Sequence, residues 1–111
     1  MALSSLRACQ LIVRASLVDV VDRIKFDQWY ETEHLPDALK AFKAQRAWRS
    51  WSQTNPLVHF AFYEFASLAE ADAMQSSSEL TALIAEFDRL WGKRVVRTRE
   101  VIEIASTLET V

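Results

Sequence analysis

The chain is poor in the residues that make staples, turns and linkers: 111 residues hold one cysteine, one glycine and two prolines. A lone cysteine cannot close an intrachain disulfide, and Cys9, inside an apolar segment, reads as a buried thiol. A single glycine leaves no Gly-rich phosphate loop, and no nucleophile elbow occurs. No Gly/Ser/Pro linker or repeat divides the chain, so residues 1–111 are expected to form a single domain. No apolar run approaches the ~20 residues of a membrane helix. Residues 1–7 lack the basic start and apolar stretch of a signal peptide, so a cytoplasmic location and no membrane partner are expected. Net charge is only −2, from 13 basic and 15 acidic residues. No basic patch dominates, which argues against nucleic-acid binding. With two histidines and no HxH, HExxH or CxxC, no metal site is expected.

Aromatic and apolar residues are abundant instead. Half the chain is hydrophobic, with four Trp, six Phe and two Tyr. That is more aromatic area than one small core needs, and the surplus points to a subunit interface or a ligand pocket.

Residues 6–15 read as a strand, with Leu11, Val13 and Ala15 alternating with Gln10, Ile12 and Arg14. Residues 20–42 read as helix, with a break near Pro36 that leaves one helix to about His34 and a second from Pro36 to about Ala44. Residues 46–53 and 57–65 read as two strands joined by Thr54-Asn55-Pro56, an antiparallel hairpin. Ser67-Leu-Ala-Glu70 has capping-box spacing and opens a short helix. Ser76-Ser-Ser-Glu79 repeats the signal before a longer one, with Leu80, Leu83, Ile84, Phe87 and Trp91 at helical period and Gly92 as its stop. Residues 94–105 are the last strand, about 11 residues long, with Val96, Ile102 and Ile104 on one face.

The order β-α-β-β-α-β is the ferredoxin-like, α+β arrangement: a four-stranded antiparallel sheet with helices on one face. The other face still carries aromatic and branched residues. Two copies packing sheet against sheet, a homodimer, would cover it.

The densest chemistry lies in Phe26-Asp-Gln-Trp-Tyr-Glu-Thr-Glu-His-Leu-Pro36. At 100° per residue Phe26, Tyr30, Glu33 and His34 share one side of a helix, with Trp29 beside them. His34 is the leading acid/base candidate, assisted by Tyr30, with Glu33 placed to orient it. A helix end would raise its pKa and burial would lower it. The competing reading is a histidine that caps the last carbonyls of the helix. His59 and Tyr63 share one face of the third strand, where a hydrogen-bonded strand histidine is the simpler reading. Trp48 and Trp51 face opposite sides of their strand, and Trp51 is a candidate pocket wall. Arg14, Arg49, Arg97 and Arg99 lie on strands; any that face a pocket would bind a carboxylate or enolate, with salt bridges to Glu100 and Glu103 as the alternative.

The element order, the length and the run Phe26-x-x-Trp29-Tyr30-x-x-Glu33-His34-x-Pro36 resemble the dimeric α+β barrel superfamily, and within it the EthD-like and stress-responsive barrel groups. The EthD-like pattern follows this helix with Pro-Gly, where this chain has Ala41-Phe42-Lys43-Ala44. The resemblance implies binding, and transformation, of a small apolar, aromatic or polyketide-like molecule by monooxygenase, cyclase or dehydratase chemistry, with neither metal nor organic cofactor. His34 and Tyr30 would be catalytic, and Trp29, Glu33, His59, Tyr63, Trp51 and Arg49 would contact substrate. The alternatives are a non-catalytic binding or assembly module, and a haem protein using His34 as axial ligand.

Overall fold

A computed structural model describes residues 8–110. Alternating branched residues make β1 (Cys9–Leu17), with its odd-numbered side chains buried and its even-numbered ones more exposed. The expected first two residues of that strand, 6 and 7, lie outside the described residues. A 3-10 turn at Val20–Asp22 leads into α1 (Arg23–Trp29), and the Asp19 carboxylate accepts from the Val21 N–H at 2.9 Å to start it.

Pro36 does not break the helix. Tyr30–His34 form a π-turn and α2 (Leu35–Phe42) follows without a gap. The Leu35 N–H donates to the Tyr30 carbonyl, five residues back. Proline lacks an N–H and its ring crowds the carbonyl four residues before it; a wider turn relieves both. The Thr32 hydroxyl donates to the Gln28 carbonyl at 2.8 Å within the bulge. The helix ends at Lys43, which adopts the left-handed conformation (φ 55°, ψ 34°) usually given to glycine.

β2 (Arg46–Trp51) and β3 (Val58–Phe65) form the expected hairpin, Trp48 opposite Phe62 and Trp51 opposite His59. The Ser52 hydroxyl accepts from the N–H groups of Thr54 and Asn55 at the turn. Ser67 caps α3 (Leu68–Gln75), its hydroxyl accepting from the Glu70 N–H. Ser77 caps α4 (Ser78–Trp91) in the same way, through the Leu80 N–H. Gly92 then takes φ 44°, which disfavours a side chain. β4 (Val95–Glu103) starts one residue later and ends two residues earlier than expected, and pairs with β1.

The sheet order is β2-β3-β1-β4, antiparallel throughout, the ferredoxin-like topology. Leu11, Val13, Ala15, His59, Ala61, Tyr63 and Phe65 face the helices and are buried. Phe26, with no exposed surface, anchors α1 against this face and against α4. Its ring lies 5.3 Å from His59, 6.1 Å from Trp51 and 5.1 Å from Trp91.

The opposite face, built on Ile12, Trp48, Phe60, Phe62, Val96 and Ile102, has no helix of the described residues over it. Trp48 stacks on Phe62 at 5.3 Å, and Phe62 on Phe60 at 6.3 Å. Val96 and Ile102 stand 63% and 37% exposed, and the Arg46 guanidinium lies over Trp48 while pairing with Glu64. No helix among the described residues is long and apolar enough to cross a membrane.

Candidate functional site

The π-turn sets the site. It carries Tyr30 and His34 at its two ends, four residues apart, and both are buried. The His34 imidazole stacks on Trp29 (centroids 4.5 Å, planes 21° apart) and meets Tyr30 at 4.8 Å and Phe87 of α4 at 5.7 Å. Burial first, then the charge of Arg97, pulls its pKa down to about 4, against a weaker opposing pull from Glu86. The ring is therefore neutral at pH 7. Of the two influences weighed from sequence, burial wins, because the helix runs on past His34 and places no carbonyl end beside it. The helix-cap reading falls for the same reason.

Tyr63 rises from β3 toward the same place. It and Tyr30 are each 1% exposed. Burial drives the Tyr30 hydroxyl up to about 12. The Tyr63 hydroxyl is also raised well above its ordinary value, by burial and then by Tyr30 beside it, so both stay protonated. The two hydroxyls lie within interaction range of each other, yet Tyr63 Oη is buried without a well-formed hydrogen bond among the described residues. An unpartnered buried hydroxyl costs about 1–3 kcal/mol, so this atom calls for a partner.

Tyr30, His34 and Tyr63 line a narrow cleft with Leu11, Val13, Phe42, Leu80, Leu83, Ile84, Arg97 and Arg99. Only about 20 Å³ of it is roomy enough for water. Leu11, Leu80 and Arg99 also wall a wider chamber of about 150 Å³ that adjoins it, bounded by Met74, Gln75, Glu100 and Val101. A larger groove of about 510 Å³ lies outside, between α2 and α4. Four of its seven lining residues are charged (Asp37, Lys40, Lys43 and Glu79), and it contains neither histidine nor aromatic ring.

The remaining candidates gather at the other side of α1. Arg49 donates to Asp27 at 2.9 Å and to Glu31 at 3.1 Å, and its Nη1 lies 3.3 Å from His59 Nε2. Trp51 Nε1 donates to the same Asp27 carboxylate at 2.7 Å, and that bond is the chief reason its pKa is lowered. A guanidinium only donates, so His59 Nε2 accepts and the proton sits on Nδ1, a buried atom without a partner among the described residues. Burial, then Arg49, lowers the His59 pKa to about 3. Asp27 and Glu31 are the counter-ions that hold Arg49.

Of the residues singled out from sequence, then, Tyr30, His34 and Tyr63 converge on the cleft. Trp29 backs the imidazole by stacking. Arg49, Trp51 and His59 form a separate ion-paired cluster, joined to the cleft through Tyr30, whose ring lies 4.4 Å from His59, and through Phe26, which touches Tyr30, Trp51 and His59. Glu33 is exposed and lies outside the cleft, because the π-turn rotates it away from the buried side. Arg97, with Arg99, is a cleft residue that the sequence reading set below Arg49. Its signal was parity: it shares the odd-numbered face of β4 with Val95 and Val101. Val96, Ile102 and Ile104 on the even face made the two faces look alike. Arg97 pairs with Asp88, and Arg49 with Asp27 and Glu31, in place of the expected Glu100 and Glu103. Among the described residues no three His, Cys, Asp or Glu side chains are grouped to hold a metal ion.

No family model matches the chain, and no curated protein matches it in sequence. Solved structures do match in fold. An ethyl tert-butyl ether D (EthD) family protein from Bacillus halodurans C-125 superposes with a TM-score of 0.68 at 16% identity, over 87% of this chain and 98% of its own. A dimeric ferredoxin-like protein from an uncultured marine organism gives 0.56 at 16%, over 92% and 99%. SnoaB from Streptomyces nogalater, a cofactor-independent oxygenase solved as a point mutant, gives 0.62 at 11%, over 94% and 99%. At these identities the likeness is one of fold, and the fold is that of the dimeric, ferredoxin-like α+β proteins that the sequence resembles.

Proposed function

We propose that this protein binds a small, largely apolar molecule bearing a polar oxygen in the cleft beside His34, and that His34 acts on it as a proton acceptor. The observation that carries this reading is Tyr63 Oη, buried without a partner among the described residues in the wall of a cleft that also takes a neutral imidazole. A neutral ring can accept a proton from an activated C–H or a phenolic O–H, and the Tyr30 and Tyr63 hydroxyls can donate hydrogen bonds to the oxygen where charge develops. A base whose conjugate acid has a pKa of about 4 is weak on its own. An anion formed next to it would raise that pKa, so transfer needs the anion held in place. Such a step requires neither metal nor organic cofactor from the residues present. The inner cleft has no room for a porphyrin beside His34 in this arrangement, which weakens the haem reading.

We also propose that two copies pair through the open sheet face. The stacked Trp48, Phe62 and Phe60, with exposed Val96 and Ile102, support it, as does the likeness to a protein described as dimeric.

The narrowness of the inner cleft favours a second reading, a non-catalytic module whose interior is closed by its own side chains. Native mass spectrometry of protein purified from its own source separates the two. The proposal expects a dimer carrying a retained small mass that His34→Ala loses, and a monomer on Phe62→Glu. Unliganded protein whose binding and turnover His34→Ala leaves unchanged would favour the second reading.

A further inference from the structure

We infer that the ligand of this cleft carries an anionic oxygen (a carboxylate, enolate or phenolate) and that Arg97, with the Tyr63 hydroxyl, selects it. This rests on the binding role proposed for the cleft and adds its charge specificity. The inner cleft is lined by two arginines and no carboxylate. The Arg97 guanidinium lies over the Phe87 ring at 3.8 Å. Among the described residues its one hydrogen bond is Nη2 to Asp88 Oδ1 at 3.3 Å, on a side chain 64% exposed to solvent. A guanidinium has five N–H donors in a fixed fork, so most of them are left to a ligand. Stacking on Phe87 fixes the plane of that fork in advance, which lowers the ordering cost of binding.

The surroundings agree. Arg97 is near enough to disfavour protonated His34 and to be felt by both tyrosines, so the inner end carries a positive potential with no fixed negative charge inside it. Leu11 and Leu80, shared by the inner cleft and the wider chamber, offer apolar walls to the body of a flat ligand. The chemistry fits an anion with its oxygen innermost: Arg97 and Tyr63 on that oxygen, His34 beside it.

Two probes of one shape test this: 2-naphthoate and 2-naphthamide, titrated by calorimetry at pH 7 and moderate salt. The wild type is expected to bind the carboxylate at least tenfold more tightly than the amide. Arg97→Gln should weaken naphthoate at least tenfold more than naphthamide, Arg97→Lys should keep part of the preference, and Tyr63→Phe should reduce it severalfold. Equal affinities for the two probes in the wild type would overturn the inference even where no variant folds, and leave the binding role standing. A ratio unmoved by Arg97→Gln would overturn the assignment to Arg97. Binding of neither probe would remove the cleft as a site, and this inference with it.

Discussion

Arg49 and Arg97 stand on the two edge strands of one sheet, on the same face, almost equally buried: their side chains are 14% and 17% exposed. Their surroundings differ. Arg49 meets two carboxylates and a histidine nitrogen, and one of those carboxylates is held in turn by Trp51. Arg97 meets one solvent-facing carboxylate at long range and the face of a ring. A buried charge with its partners in place belongs to the framework; one without enough of them is available to something that arrives later. Each arginine lies beside a neutral histidine, so the imidazoles alone do not tell framework from site.

The largest effect should come from the residue that both regions share. Phe26 touches rings from α1, β2, β3 and α4, so Phe26→Ala should cost about 4 kcal/mol in urea unfolding. A loss under about 1 kcal/mol would mean the two regions are not packed through it.

Acid comes next. Both histidines have folded pKa values, about 4 and about 3, below the ordinary 6.5. The unfolded chain therefore takes up these protons first. Their stabilisation is complete above about pH 6.5; it is lost as pH falls toward 4 for His34 and 3 for His59. His34 alone is worth about 3 kcal/mol of this fall. His34→Gln should roughly halve the slope of stability against pH between 6 and 4.5. An unchanged slope would place His34 in water.

The arginines themselves sharpen the contrast. Arg49→Met strands Asp27 and Glu31 and should cost about 2 kcal/mol, whereas Arg97→Met should cost under about 1 kcal/mol. Equal costs, read from denaturant midpoints, would erase the distinction drawn here. The smallest effect lies away from both: Lys43→Gly, at the left-handed helix end, should stabilise by about 0.5–1 kcal/mol and raise Tm by a few degrees.

Much of this was legible in the sequence. Alternation in β1 and β3, the serine cap at Ser67 and the period of Leu80, Phe87 and Trp91 each state a local rule that the fold obeys, and together they give the element order; the second cap falls at Ser77, one residue past the Ser76 to which the spacing points. His34, Tyr30 and Tyr63 were visible as polar groups on apolar faces. What the sequence did not carry is register and partner. Pro36 requires relief of the helix ladder, and a π-turn satisfies that as well as a break does. The choice moves Glu33 outward and keeps His34 under cover. Whether Arg49 or Arg97 is neutralised depends on which carboxylates the helices bring across, Asp27 and Glu31 in one case and only Asp88 in the other. That is settled by tertiary placement and not by spacing along the chain.

The account turns on a neutral imidazole at the inner end of a cleft that accepts a small molecule. Long-range proton–nitrogen NMR of the two histidine rings, at pH 6 with and without 2-naphthoate, reads this directly. The account predicts two neutral rings, with His34 shifting on addition of the probe and His59 nearly still. A His34 ring that titrates near pH 6.5, or that ignores the probe while His59 responds, would contradict it.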